Sequence, residues 1–171
     1  MKEVIAILHN IRSAHNVGSI FRTADGAGIT KMYLTGYTPR PFRKGWRGAV
    51  FPTKAEKELA KTALGAEQNM AWEYRRSLRA VWERVYREGY RMVAIEQLPG
   101  SVAYDAYHPE GKTALLMGNE VRGIDPKTLK KCDVVLEIPM RGQKNSLNVS
   151  VAFGIASYAI ASTMEREGGR K

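Results

Sequence analysis

The chain has 171 residues, 44% of them hydrophobic, and carries 27 Lys and Arg against 17 Asp and Glu, a formal net charge of +10. This suits one domain with a real core, and a mean hydropathy of −0.35 excludes a chain built of membrane spans. The single cysteine, Cys132, excludes an intramolecular disulfide framework and fits a reducing, cytoplasmic setting, while the cationic surplus points to an anionic partner, nucleic acid above all.

Val4–Leu8 (VIAIL) is a continuous apolar run, the pattern of a strand buried on both faces. It is too short for a signal peptide and follows Glu3. A polar loop follows at its C-terminal end, His9 to Ser13. Then comes a helix with Asn16 as its expected N-cap and Val17, Ile20, Phe21 and Ala24 on one stripe. Gly26 and Gly28 mark its end, and Lys31–Thr35 (KMYLT) reads as a second strand. Strand, helix, strand in this order predicts a parallel sheet.

Tyr37 to Pro52 is irregular, broken by Pro39, Pro41, Gly45, Gly48 and Pro52. Arg40, Arg43, Lys44 and Arg47 alternate there with Phe42 and Trp46. Cations grip phosphates and aromatic rings stack on unpaired bases, so the loop suits single-stranded or looped RNA. The same composition also fits a solvated surface loop anchored by its two aromatics.

Thr53–Glu56 is a capping box opening a helix that Gly65 closes. Ser77–Glu88 is another helix, with Leu78, Val81, Trp82 and Val85 on one face. Arg91–Ile95, Ala114–Met117 and Val134–Ile138 read as strands, and Pro126–Lys131 as a short helix capped by Asp125. The last element is a helix from Ser146 or Leu147, apolar on nearly every side and therefore expected to be buried all round. Ser146, Ser150 and Gly154 form a small-residue line along it that would let another backbone come close. Asn145, Ser146 and Asn148 stand at its mouth, either as ligand-lining groups or, for Ser146 or Asn145, as an N-cap. No repeat, low-complexity tract or long linker divides the chain, so one α/β domain over residues 1–171 is expected, without a separate N-terminal RNA-binding domain.

Several chemistries find no motif. There is no GxxxxGK[ST] phosphate loop, and Gly26-Ala27-Gly28 ends a helix instead of following a strand. There is no CxxC, HExxH or dense carboxylate cluster, so no metal is expected. There is no GxSxG elbow either. Three polar groups remain, each just beyond the C-terminal end of an expected strand, the edge where open parallel sheets bind ligands. They are Asn10 to Arg22, with Arg22 opposite the apolar stripe of its helix; Met117 to Asp125 (MGNEVRGID); and Ser146-Leu147-Asn148.

These three segments, in this order, resemble the SpoU (TrmH-like) branch of the SPOUT RNA methyltransferases. Asn16 and Arg22 match its first motif. Gly118, Asn119 and Glu120 match the second, and Ile138–Met140 with Ser146–Asn148 the third. Thr62–Glu67 is similar to the family's middle segment. The resemblance implies a mostly parallel sheet flanked by helices, with a C-terminal deep trefoil knot, a homodimer in which the last helix takes part, and S-adenosylmethionine as cofactor. It implies methylation of a ribose 2′-hydroxyl in tRNA or rRNA. By the same resemblance, Arg22, Asn16, Glu120, Ser146 and Asn148 are the catalytic set, and Gly118, Ile138, Met140 and Leu147 hold the cofactor. The family role often given to this arginine is that of a base. A guanidinium stays protonated in proteins, so a grip on the neighbouring phosphate is the better physical reading. Two other classes stay open: a non-catalytic RNA-binding or ribosome-assembly factor, and a base methyltransferase of a neighbouring branch.

Overall fold

The computed structural model describes residues 3–168, apart from the side chains of Arg47 and of residues 165–168. In chain order the elements are β1 (Val4–His9), α1 (Ala14–Gly26), β2 (Lys31–Thr35), α2 (Lys54–Ala63), α3 (Ala66–Asn69), β3 (Ala71–Arg75) and α4 (Leu78–Arg87), then β4 (Arg91–Ile95), β5 (Val102–Ala103), β6 (Thr113–Met117), α5 (Pro126–Leu129), β7 (Val134–Glu137) and α6 (Val149–Gly168). The seven strands form one sheet in the order β3-β2-β1-β6-β4-β7-β5, and every pairing is parallel.

β1 lies inside the sheet between β2 and the central β6, and alternation along it feeds two cores. Val4, Ala6 and Leu8 face one side with Val17, Ile20 and Phe21 of α1, Leu59 of α2, and Phe153 and Ile160 of α6. Ile5 and Ile7 face the other with Val81 and Val85 of α4 and Leu129 of α5. A strand sandwiched between two helix layers must be apolar at every position, which is why VIAIL has no polar interruption. Gly18 lets α1 lie against α2, because a Cβ there would collide with the Leu59 carbonyl and the Thr62 hydroxyl.

Several local expectations are corrected. Asn16 is not the N-cap of α1; Ser13 is, its side chain accepting from the Asn16 N–H at 3.2 Å. The last helix begins at Val149, not at Ser146 or Leu147. Neither Asn145 nor Ser146 caps it: the Asn148 Oδ1 accepts from the Ser150 N–H at 2.9 Å. α6 is not buried all round either, since Val151 is 49% and Tyr158 50% exposed. Gly154 faces α1 within the chain, with room for a side-chain carbon in ordinary contact. A Cβ there would stand 3.5 Å from the Thr23 methyl of α1, while Ser146 lies outside the helix. The sequence pattern shows neither β3 nor β5, both at the sheet's outer edges.

Candidate active site

The site gathers at the C-terminal ends of the central strands, where β1, β6, β4 and β7 hand over to loops. β6 ends at Met117, and the chain turns at once through Gly118 and Asn119. A Cβ on Gly118 would lie 2.8 Å from both the Gly123 carbonyl carbon and the Ile124 nitrogen, so the turn folds this tightly only around glycine. Asn119 is buried, at 7% exposure, and ties the turn together. Its Oδ1 accepts from the Val121 and Arg122 N–H groups at 2.9 and 2.8 Å. Its Nδ2 donates to the Asn10 carbonyl and to the Tyr37 hydroxyl, each at 2.9 Å.

Glu120 then reaches across to the start of α1. Its Oε2 accepts from the Arg12 N–H at 2.8 Å, and its Oε1 accepts from the Ser13 N–H and the Asn16 Nδ2, each at 3.0 Å. Partial burial pushes this carboxyl up, but the donated N–H groups more than offset it, so the acid sits below its ordinary range. Asn16 in turn accepts at Oδ1 from the Asn148 Nδ2 at 3.2 Å, and Asn148 holds Ser150 at the mouth of α6. One hydrogen-bonded chain, Glu120–Asn16–Asn148–Ser150, thus joins three distant segments.

Beside it is a cavity of about 350 Å³. Gly118, Ile138, Met140 and Leu147 all line it, with Glu120 and Ser146. Glu96 and Gln97 line it too. Neither is among the residues singled out by motif, although both directly follow β4, and the rule that ligands bind beyond strand ends would have found them. The Glu96 Oε1 accepts from the Ile124 N–H at 2.8 Å. Burial raises this carboxyl above its ordinary value, against the lowering effect of the Ile124 and Gln97 N–H groups. Gln97 donates to the Ile138 carbonyl at 3.1 Å. Arg22 is not part of this wall. It is exposed on α1, without a hydrogen-bond or ion-pair partner among the described residues, and lies roughly 9 Å along the helix axis from Asn16 at 1.5 Å per residue.

The cationic loop is partly self-packed. The Arg40 guanidinium lies 4.0 Å from the centroid of the Trp46 ring and 4.8 Å from that of Tyr74, and the two rings meet edge to face at 6.4 Å. Arg40 and Trp46 therefore anchor the loop to β3. Arg43 and Lys44 remain exposed, and the side chain of Arg47 lies outside the described ones. Among the described residues, no three or more His, Cys, Asp and Glu side chains are placed to hold a metal ion, and no helix is long and apolar enough to cross a membrane.

A sequence model of the SpoU rRNA methylase family matches residues 3–158. The chain belongs to the SpoU rRNA methylase family. Among SpoU-type relatives it is 29% identical over 171 residues to the tRNA (guanosine(18)-2′-O)-methyltransferase of Aquifex aeolicus, covering 98% of this chain and 72% of the relative. It is 31% identical to the 23S rRNA (guanosine-2′-O-)-methyltransferase RlmB of Photobacterium profundum, over 91% of this chain and 58% of the relative. The fold matches the crystal structure of an AdoMet-bound rRNA methyltransferase from Sinorhizobium meliloti with a TM-score of 0.79 and 27% identity, over 92% of this chain and 55% of that one. The chain thus spans little more than half the length of several SpoU relatives. The matched range, residues 3–158, spans all three segments that the Glu120–Asn16–Asn148 chain brings together.

Proposed function

We propose that this chain is an S-adenosylmethionine-dependent RNA methyltransferase acting on a ribose 2′-hydroxyl of tRNA or rRNA. The observation that carries the reading is the hydrogen-bonded link from Glu120 through Asn16 to Asn148, set against a cavity lined by Gly118, Ile138, Met140 and Leu147.

The cavity's chemistry fits the cofactor. Ile138, Met140 and Leu147 offer apolar surface for a flat heterocycle, and the Glu96 carboxylate supplies negative charge toward a cationic molecule. Bound there, the cofactor supplies a methyl group activated on a sulfonium. The protein's share is positioning, because a 2′-hydroxyl is a poor nucleophile at neutral pH. Glu120 and Asn148 hold Asn16 and the start of α1 in register with the cavity mouth. Ser146, exposed on the cavity wall, offers a hydroxyl to the ribose. Arg22 grips the phosphate next to the reacting sugar and stabilises charge developing on the attacking oxygen. Its exposure and lack of an internal partner among the described residues suit that task.

The proposal includes a homodimer, supported by the exposed apolar side chains Leu147, Val151 and Tyr158, and a cytoplasmic setting. It also includes the trefoil knot, with which the insertion of β7 between β4 and the earlier strand β5 is consistent. Nucleoside mass spectrometry of RNA treated with protein and cofactor tests the reaction. A new 2′-O-methylnucleoside is expected. A base-methylated product, or none together with no cofactor binding, would overturn the reading.

A further inference from the structure

A second cavity, of about 410 Å³, lies away from the first, between the cationic loop and the α2–α3 corner. Phe42, Leu59, Met70 and Trp72 give it apolar and aromatic walls, and Glu67 lines it as well. Glu67 is only 8% exposed, and its Oε2 is buried with no hydrogen-bond partner among the described residues. Burying an acceptor this way costs stability unless something donates to it. Trp72, on the same wall, does not serve that oxygen, since its Nε1 donates to the Glu67 backbone carbonyl at 3.2 Å. Nor does the rim neutralise it. Arg43, on the same cavity, lies over the Trp72 ring at 4.3 Å and makes no ion pair with Glu67. Lys57 and Glu56 line the cavity as well, Glu56 being engaged with the Thr53 N–H and hydroxyl, and Lys44 is exposed next to Arg43 in the chain.

A buried carboxylate acceptor, an indole that already accepts a flat cation on its face, and cations on the rim form a receptor for a nucleobase whose backbone lies outside. The carboxylate decides which base. Guanine presents two adjacent donors, N1–H and N2–H, that one carboxylate accepts together. Adenine and cytosine set a donor beside an acceptor, and uracil flanks its one N–H with two carbonyls. We propose that this cavity receives the base of an unpaired guanosine in the RNA, at a nucleotide other than the one methylated. Glu67 reads its Watson–Crick edge, and Arg43 and Lys44 hold the adjoining phosphates. The inference rests on the reading of the chain as an RNA-modifying enzyme.

The test uses the full chain without cofactor and short uridine-rich oligoribonucleotides bearing one guanosine, inosine or adenosine at the same position. Affinity is measured by fluorescence anisotropy at fixed salt. Inosine lacks the 2-amino donor, so guanosine should bind about tenfold more tightly than inosine, and more tightly still than adenosine. Glu67→Gln, of nearly equal volume, should erase the guanosine–inosine difference while leaving the salt dependence unchanged. Equal wild-type affinity for guanosine and inosine, a preference that survives Glu67→Gln, or no binding to any oligonucleotide would overturn the proposal. The wild-type comparison needs no variant, so it stands even if Glu67→Gln fails to fold. A chain that prefers guanosine but methylates nothing would sink the enzymatic reading alone, and one that methylates without the preference would sink only this cavity.

Discussion

Asn148 donates from its side-chain amide to the side-chain carbonyl of Asn16 at 3.2 Å, joining the start of the last helix to the first turn of the first. Both ends of that bond do second jobs, since Asn148 also caps α6 and Asn16 also serves Glu120. Two substitutions separate the jobs. Asn148→Ala should cost about 1 kcal/mol of stability through the missing cap and should also lower methyl transfer. Asn148→Asp keeps a capping oxygen but places a second carboxylate near Glu120, with no N–H for Asn16. Urea melts should show near wild-type stability for the aspartate variant, and turnover assays should show it impaired.

Arg22→Ala should leave the melting temperature and cofactor affinity nearly unchanged, because the side chain is exposed and bonded to nothing among the described residues. Methyl transfer should fall by about 10²–10³-fold, the scale for removing one preorganised group at developing charge. Arg22→Lys should rescue only in part, since an ammonium lacks the planar fork. Single-turnover rates across pH make the check. A lysine enzyme that matches wild type and gains rate toward the amine's pKa would favour a proton-accepting role instead.

Glu120 sets an acid limit. Its carboxyl lies below the ordinary 4.5 in the folded chain, so its stabilisation is fully present above that value and disappears as pH falls through the lowered folded pKa. Calorimetry from pH 7 downward should show a loss of stability in the acid range to which Glu120 contributes. Glu120→Gln should be less stable at neutral pH and lose less on acidification.

Gly118→Ala should cost roughly 1–3 kcal/mol, as overpacking does, because the added carbon meets the backbone of Gly123 and Ile124 at 2.8 Å. Backbone cannot rotate away as a side chain can. Cofactor binding, read by calorimetric titration, should weaken with it, since the same turn forms a wall of the cavity.

Replacing Arg43, Lys44 and Arg47 together by alanine should weaken RNA binding. It should also make the log-affinity against log-salt slope shallower by about 0.7–0.9 for each phosphate that is no longer neutralised. An unchanged slope would make the loop a bystander. Trp46→Ala is expected to act differently, because its ring is occupied by Arg40 and removing it would loosen the loop.

The buried strands are legible in the sequence because a strand covered on both faces has to be apolar throughout, as Val4–Leu8 is. β3 is not, since AWEYR lies at the sheet edge with every residue at least partly exposed and is recognisable only beside β2. Ser13 and Asn16 are equally good capping types, and only the backbone decides between them in favour of Ser13. Gly118, Ile138, Met140 and Leu147, which line the cavity, emerge from the family pattern, and Glu96 and Gln97 from their place just beyond β4, none of them from local periodicity. Arg40 packing on Tyr74 and Glu120 bonding to Asn16 join residues far apart in sequence, and no local pattern carries such information.

The place of β1 in the sheet has a consequence for synthesis. One of its edges pairs with β2, which follows almost at once, but the other waits for β6, so that Val4 meets Thr113 and Leu8 meets Met117 only late. While the ribosome makes the intervening segment, the growing chain can assemble β3-β2-β1 with α1 and α2, yet it presents the bare edge of its most apolar strand. Such an edge is a template for wrong partners. The nascent protein is thus most vulnerable to misassembly before residue 113 emerges, and slowed translation just upstream of β6 should lower the soluble yield more than slowing placed after it.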